Sequence, residues 1–473
     1  MNDMNAKPPI QRTALLPDDF GLGLLWAWIY STWFTPGVFP LDPTAAASEG
    51  IAVFGNSSWL LSLLCCSTLL FAMPVLLKKW QPNASVAITV SASLVFAGTL
   101  MMHFTYSDAS TTALYAGSAA LTGLGSAGMW AIWGERYKSN ARRLRYLIPA
   151  SASAVAASVL ICWVAPEAVS FVICLALAPA SAALFLKSRQ PLPEQLQASA
   201  NGNDKELDRG KSVNVLLKLC AACAGACAIS AFINASTKID NAAVLFPLGI
   251  LLGMALILGS VFWSTRMKRD VGFVKPARWL LMLEVVALCL LISEFADATQ
   301  LSFVLSLAVS TCFDFLLFMY LTRAIDCGLL SSTTAFCLSE GSIQLGWLVG
   351  DFFALIFQNG SGLGGIRPQS LYPILICALF VLLLAIVDQQ GSLETMLRET
   401  ADEEIIRNLG KKYGLTPRET QVFVLLGQGR SVPYISDKLF IARSTIETHA
   451  KHIYQKMGVH SRQELIDLVR KDR

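Results

Sequence analysis

Four ionisable residues stand where ionisable residues are costly. Lys218, Glu284, Asp314 and Glu340 each interrupt a run of about twenty apolar residues. Counted from the same end of each run they fall at a common depth, roughly 10 Å at 1.5 Å per residue. One lysine facing three acids in hydrocarbon is either a polar binding site or an internal salt-bridge network that holds helices together. Asp351 and Glu294 lie nearer the other end and would line an entrance. Trp130, Trp133, Trp263, Trp279 and Trp347 are read either as cavity walls or as interfacial anchors.

A second group lies near the end of the chain, in IARSTIETHAKHIYQKMG (441–458). At helical spacing, Ile446, Ile453 and Met457 fall on one side, and Ser444, Thr445, Thr448, Lys451 and Gln455 on the other. A helix with such a face can enter the major groove of double-stranded DNA and read base edges. Lys451 suits a phosphate or a guanine; Ser444, Thr445 and Thr448 suit phosphates or a thymine methyl. Lys438, Arg443 and Arg462 would supply the sequence-independent charge that dominates affinity. Each cation also has a plainer reading as a solvated surface side chain.

The elements that must hold these residues are legible from composition. The 473 residues are 54% hydrophobic and only 15% charged, with mean hydropathy +0.53, a membrane composition. Twelve stretches are long and apolar enough to span a bilayer, at about 20–39, 51–77, 84–103, 108–133, 146–165, 167–186, 212–232, 241–264, 277–297, 300–321, 332–357 and 369–388. A charged linker, 187–211, separates six from six. Alternate loops hold eighteen Lys and Arg, against only Lys238 and Arg367 on the other side. The positive-inside rule then places the N-terminal tail (1–19), the linker and the C-terminal segment in the cytoplasm of a cell (inner) membrane protein. No cleavable signal peptide is expected, because the first twenty residues are polar.

The net charge of +4 is unevenly spread. From Lys411 onward there are twelve Lys/Arg against six Asp/Glu, and the remainder is slightly acidic. Residues 389–411, with Leu393, Met396, Leu397, Ile405, Ile406 and Leu409 among charges, read as an amphipathic helical linker or a solvated tether. In 412–473, Thr416, Pro417 and Glu419 make a capping box, and Ser431 can cap a second, short helix. A third helix follows from about Arg443 to Met457, ended by Gly458, and a fourth spans about Arg462–Arg470.

Two resemblances follow from these residues. The six-plus-six arrangement resembles the major facilitator transporters in architecture. The helix two–three connection, MPVLLKKWQPNAS, departs from the Gly-Asp-Arg/Lys-Gly-Arg pattern such transporters carry there. That points to common ancestry more than to working transport. In that arrangement helices seven, ten and eleven meet centrally, and helix nine, with Glu284, is peripheral. Residues 412–473, through LTPRE, STIETH and KMGVHSRQEL, resemble the LuxR/NarL (GerE-type) DNA-binding domain. That resemblance implies promoter binding, places His449 in the motif, and makes the fourth helix a dimer contact through Ile466 and Val469. Glu447 stands where the family commonly has lysine. It either accepts from a cytosine amino group or pairs with Ser444 in a second capping box, the reading the pattern favours.

The expected fold is therefore all-α: a polytopic bundle plus a four-helix DNA-binding domain. The expected function is a membrane-embedded transcription regulator, probing promoter DNA as a homodimer while the bundle meets an unknown small molecule. The alternative is a facilitator-type transporter with a regulatory tail. With four His, no metal-ligand spacing and no nucleotide loop, neither enzyme chemistry nor a cofactor is expected. Cys220, Cys223 and Cys227 repeat on one helical face and read as packing residues rather than a metal or redox site. No receiver-like segment precedes the DNA-binding domain.

Overall fold

The computed structural model describes residues 17–38, 57–80, 82–105, 112–137, 141–187, 203–237, 239, 241–267, 274–293, 295–326, 329–358, 368–388, 406 and 409–471. Every regular element among them is helical. The chain divides into two compact units, Met1–Ile325 with Leu330–Gln389, and Gln390–Arg473 with Asp326–Leu329.

The first unit holds α1 (Gly21–Phe34), α2 (Ser57–Trp80), α3 (Ala84–Thr105), α4 (Thr112–Arg136), α5 (Ala141–Val164), α6 (Glu167–Lys187), α7 (Asn203–Ser236), α8 (Ala242–Met267), α9 (Val274–Ile292), α10 (Ala296–Asp326), α11 (Ser332–Gln358) and α12 (Tyr372–Asp388). Each falls on one of the twelve expected spans. Eight helices among the described residues are long and apolar enough to cross a membrane. The charged segment before the seventh span is partly helical, since α7 begins at Asn203 and runs for 34 residues. Its Asp, Lys, Glu and Arg side chains are compatible with a helix, and nothing in NDKELDRGK breaks one.

Burial sorts the helices. The α10 span is 89% buried within the unit and that of α12 only 17%, so α10 is central and α12 faces outward. All of α1 except Leu24 is buried. A helix apolar all round must be enclosed, and α1 is also tied by polar bonds that are worth most where no water competes. Trp28 Nε1–H donates to Thr99 Oγ1 on α3 (3.1 Å), and the hydroxyls of Ser31 and Ser158 on α5 lie 2.7 Å apart. Elsewhere backbones meet through small residues. A Cβ on Gly350 of α11 would lie 2.6 Å from the Ala231 Cβ and would strike the Ala228 carbonyl, so only glycine lets α11 approach α7 this closely.

The second unit contains α13 (Pro417–Gly427), α14 (Val432–Leu439), α15 (Arg443–Met457) and α16 (Arg462–Lys471). Phe423, Ile435, Ile446, Ile453, Leu465 and Val469 form its core. Ile406 and Leu409 belong to the same core, fully and almost fully buried. The end of the segment expected as linker is thus part of the folded unit. The rest of that linker, 389–405 with 407 and 408, lies outside the described residues, as do the N-terminal tail to residue 16, the segment 188–202 and Glu294.

Candidate functional site

In the second unit the local sequence fixes each helix end. Thr416 Oγ1 accepts from the Glu419 amide (3.3 Å), and the Thr416 amide donates to Glu419 Oε2 (2.8 Å), completing the expected capping box. Ser431 caps α14 by accepting from the Tyr434 amide. Gly458, with φ 67°, closes α15 in the left-handed conformation that glycine enters without penalty.

Three side-chain clamps then tie the four helices together, the first of them holding α15. Lys456 Nζ pairs with Glu419 Oε2 at 2.7 Å, joining the last turn of α15 to the first turn of α13. This pair, with the Thr416 amide, holds the Glu419 carboxyl down at about 2, well below the usual carboxylate range. Arg418 Nη2 donates to the Leu439 carbonyl at the end of α14 (3.2 Å). Arg462 Nη2 donates to the Gly429 and Arg430 carbonyls in the α13–α14 turn. Between α14 and α15 the chain turns at Phe440, the one described non-glycine residue with positive φ (51°), whose side chain is 87% exposed.

The face thus presented is polar and cationic. Arg443, Ser444, Thr445, Glu447, Thr448, Lys451 and Gln455 are exposed on α15, with His449 half-buried beside them and Lys438 exposed on α14. Thr448 Oγ1–H donates back to the Ser444 carbonyl (2.9 Å), which directs its methyl group. Ala442 is the N-cap of α15 and offers no side-chain bond; the Thr445 amide donates to its carbonyl, and the Arg443 and Ser444 amides remain available to an anion.

In the first unit, Glu284, Asp314, Glu340 and Asp351 are all buried. Ser230 of α7 and Ser306 of α10 both donate to Glu284 Oε1, at 2.9 and 2.7 Å. Trp26 Nε1–H and Tyr30 O–H, one turn apart on α1, both donate to Asp314 Oδ2 at 3.0 Å. Gln344 donates to Glu340 Oε1 (2.6 Å), and Trp59 to Asp351 Oδ2 (2.6 Å). Cys227 on α7 lies within electrostatic reach of Glu284, Asp314 and Glu340. Lys218, nine residues earlier on α7, is exposed and does not join them. The expected one-lysine, three-acid site is a set of acids without the lysine. Aromatic rings close around Asp314: Trp26 stacks on Phe315 (4.4 Å) and meets Trp130 and Phe318 edge-on (each 4.8 Å).

Residues 414–469 match the family model of bacterial regulatory proteins, luxR family (GerE). Those residues form a LuxR-family helix-turn-helix domain. Two Klebsiella pneumoniae proteins described as HTH-type transcriptional regulator MalT are each 38% identical to this chain over 77 residues, 16% of the chain and 8% of their own length. The chain thus spans less than a tenth of the curated relatives it matches. The helical bundle is similar to the major facilitator superfamily transporter FucP in the outward conformation, with TM-score 0.50, 12% identity, and coverage of 80% of this chain and 99% of that one. It is also similar to a mutant form of the nucleoside transporter NupG, with TM-score 0.51, 13% identity, and 79% and 99% coverage. At such identities the likeness establishes the fold alone.

Within the LuxR-type domain several expectations need correction. Helix α15 begins at Arg443 after Ala442, which places Ser444 inside the first turn and not at the cap. No Ser444–Glu447 capping box forms, and Glu447 is exposed on α15. Arg462 Nη2 is held by the Gly429 and Arg430 carbonyls, a structural role that stands beside the expected phosphate contact. Val469 is 1% exposed in the core, so it has no surface to offer a second copy, whereas Ile466 is half-buried. The Lys456–Glu419 clamp is invisible to a sequence reading, because nothing local links residues 37 apart.

Proposed function

We propose that this protein is a membrane-embedded transcription regulator. Its LuxR-type domain binds promoter DNA through α15, and its transporter-like bundle meets a small molecule. The observation that carries this reading is the exposed face of Arg443, Ser444, Thr445, Thr448 and Lys451 on a clamped helix whose uncapped N-terminus suits a phosphate. On this reading Lys451 reads a base or a phosphate, Lys438 and Arg443 neutralise phosphates, and His449 packs or contacts the backbone. Binding as a homodimer would give two-fold half-sites, with Ile466 the remaining apolar contact on α16. The asymmetry of Lys and Arg between loops supports cytoplasmic termini in the inner membrane.

In the bundle, Glu284, Asp314 and Glu340 form the sensing centre, and a ligand that favours one bundle state shifts the population presented to DNA. The transporter-like fold also admits a second reading, coupled transport with a regulatory tail. Genome-wide DNA capture with the full-length protein, paired with transcript profiling of a deletion strain, tests the regulator. Promoters bound by wild type and lost on Lys451→Ala support it. A strain with no bound promoter and no altered transcript overturns it. Uptake that disappears on Asp314→Asn while DNA capture persists supports the transporter.

A further inference from the structure

Two of the buried acids share an arrangement that no sequence pattern announces. Asp314 is 3% exposed and Asp351 is fully buried. Each receives its hydrogen bonds on Oδ2 alone, from an indole N–H and, at Asp314, a tyrosine hydroxyl as well. In both residues Oδ1 is buried and has no partner among the described residues. Trp130 Nε1, on the ring edge-on to Trp26, is also buried without a partner. No Lys, Arg or His among the described residues pairs with either carboxylate.

The two acids are joined by rings along α1. From Tyr30 to Phe34 the centroids are 5.9 Å apart, and from Phe34 to Trp59, the donor to Asp351, 5.8 Å. The chain therefore sets two carboxylates in aromatic boxes, one midway along α1 and one near its end, the end opposite the Lys- and Arg-rich loops. An ionised carboxylate with neutral donors on one oxygen only is unstable in a dry interior and calls for positive charge. Ring faces carry a negative quadrupole and favour the same sign, while their area suits an apolar body. An anion would be repelled by Glu284, Asp314, Glu340 and Asp351, and a neutral ligand such as a sugar would leave the charge of the carboxylates unmatched.

We infer that the bundle binds a hydrophobic organic cation, a protonated amine or a quaternary onium compound, with its charge at Asp314 between Trp26 and Tyr30 and an outer station at Asp351 and Trp59. This assignment rests on the bundle being the sensing part, but the binding it describes is measurable without DNA. A proton on each aspartate is the competing occupant.

The test is calorimetry on the purified full-length protein in nanodiscs. The cations are tetraphenylphosphonium and 2-phenylethylamine, and the neutral probe is 2-phenylethanol. Wild type is expected to hold at least one cation tenfold or more tighter than the alcohol. Asp314→Asn removes that preference, Trp26→Phe, which keeps a ring and loses the donor, weakens it several-fold, and thermal stability stays within a few degrees of wild type. If Asp314→Asn does not fold, Asp351→Asn serves as the second variant, with an expected loss of threefold or more for the cations alone. Equal binding of cation and alcohol, no binding of either cation, or unchanged cation affinity in the folded aspartate variants overturns the assignment. Promoter capture by the same preparation keeps the two questions apart. DNA binding without cation binding removes the ligand class and leaves the regulator. Cation binding without DNA binding does the reverse.

Discussion

Lys456 Nζ lies 2.7 Å from Glu419 Oε2, so the end of α15 is bolted to the start of α13. The same carboxylate closes the capping box at Thr416, and one side chain thereby serves two helix ends. Glu419→Gln is expected to cost the domain about 1 kcal/mol at neutral pH, the size of a lost cap. The acid dependence has a definite sign. Because the folded carboxyl sits at about 2, below its unfolded value of about 4.3, its stabilisation is complete above the unfolded value and fades as pH falls towards about 2. Urea midpoints of the DNA-binding segment at pH 7 and pH 3 check this: the gap between wild type and Glu419→Gln narrows at the lower pH.

Glu447 is exposed on α15 and forms no cap, and on the proposed DNA-binding face a carboxylate would repel phosphate. Glu447→Lys should tighten binding to non-cognate DNA and steepen the salt dependence by about one counterion per site. Fluorescence anisotropy over a salt series reads both. If the acid reads a cytosine amino group, one base pair of the operator loses about 1–3 kcal/mol of discrimination in the same variant.

Arg462 grips the carbonyls of Gly429 and Arg430. Replacing it with alanine is expected to lower domain stability by about 1–2 kcal/mol and to leave the salt slope of DNA binding unchanged. A slope reduced by about 0.9 would instead put the guanidinium on a phosphate.

Phe440 holds φ at 51° with its ring in solvent. A bulky side chain in that conformation is strained by roughly 1 kcal/mol, and its exposure recovers little by burial. Phe440→Asn should therefore raise the urea midpoint. A fall would show that the ring has a partner in the assembled protein.

In the bundle, Gly350→Ala must move α11 away from α7, since the added carbon meets backbone and not a flexible side-chain tip. The melting temperature in detergent should drop by several degrees, in line with the roughly 1–3 kcal/mol typical of overpacking.

What is legible in the sequence follows a physical division. The spans are legible because each must carry its own hydrocarbon-compatible length, and the helix caps because Thr416, Glu419 and Gly458 act on neighbours within four residues. The bounds of α15 are legible too, from Arg443 to Gly458, but its capping is not, because ARST offers several capping registers and the one adopted leaves Ala442 at the N-cap without a side-chain bond. Lys218 and Val469 escape a sequence reading for a related reason. Depth along a helix is visible, but the direction of a side chain around it depends on which neighbour arrives there. The aromatic surroundings of Asp314 are beyond reach altogether, since Trp26 and Tyr30 come from the far end of the chain.

That distance has a consequence for how the protein comes into being. Trp26 meets Asp314 across 288 residues. At about 5–20 residues per second, translation needs roughly a quarter of a minute to a minute to supply the partner. For that interval α1 is exposed to lipid or to the insertion machinery with its indole and phenol groups unmatched. The DNA-binding domain is synthesised only afterwards, so a ribosome that stalls before α10 releases a bundle without its keystone and without a regulator.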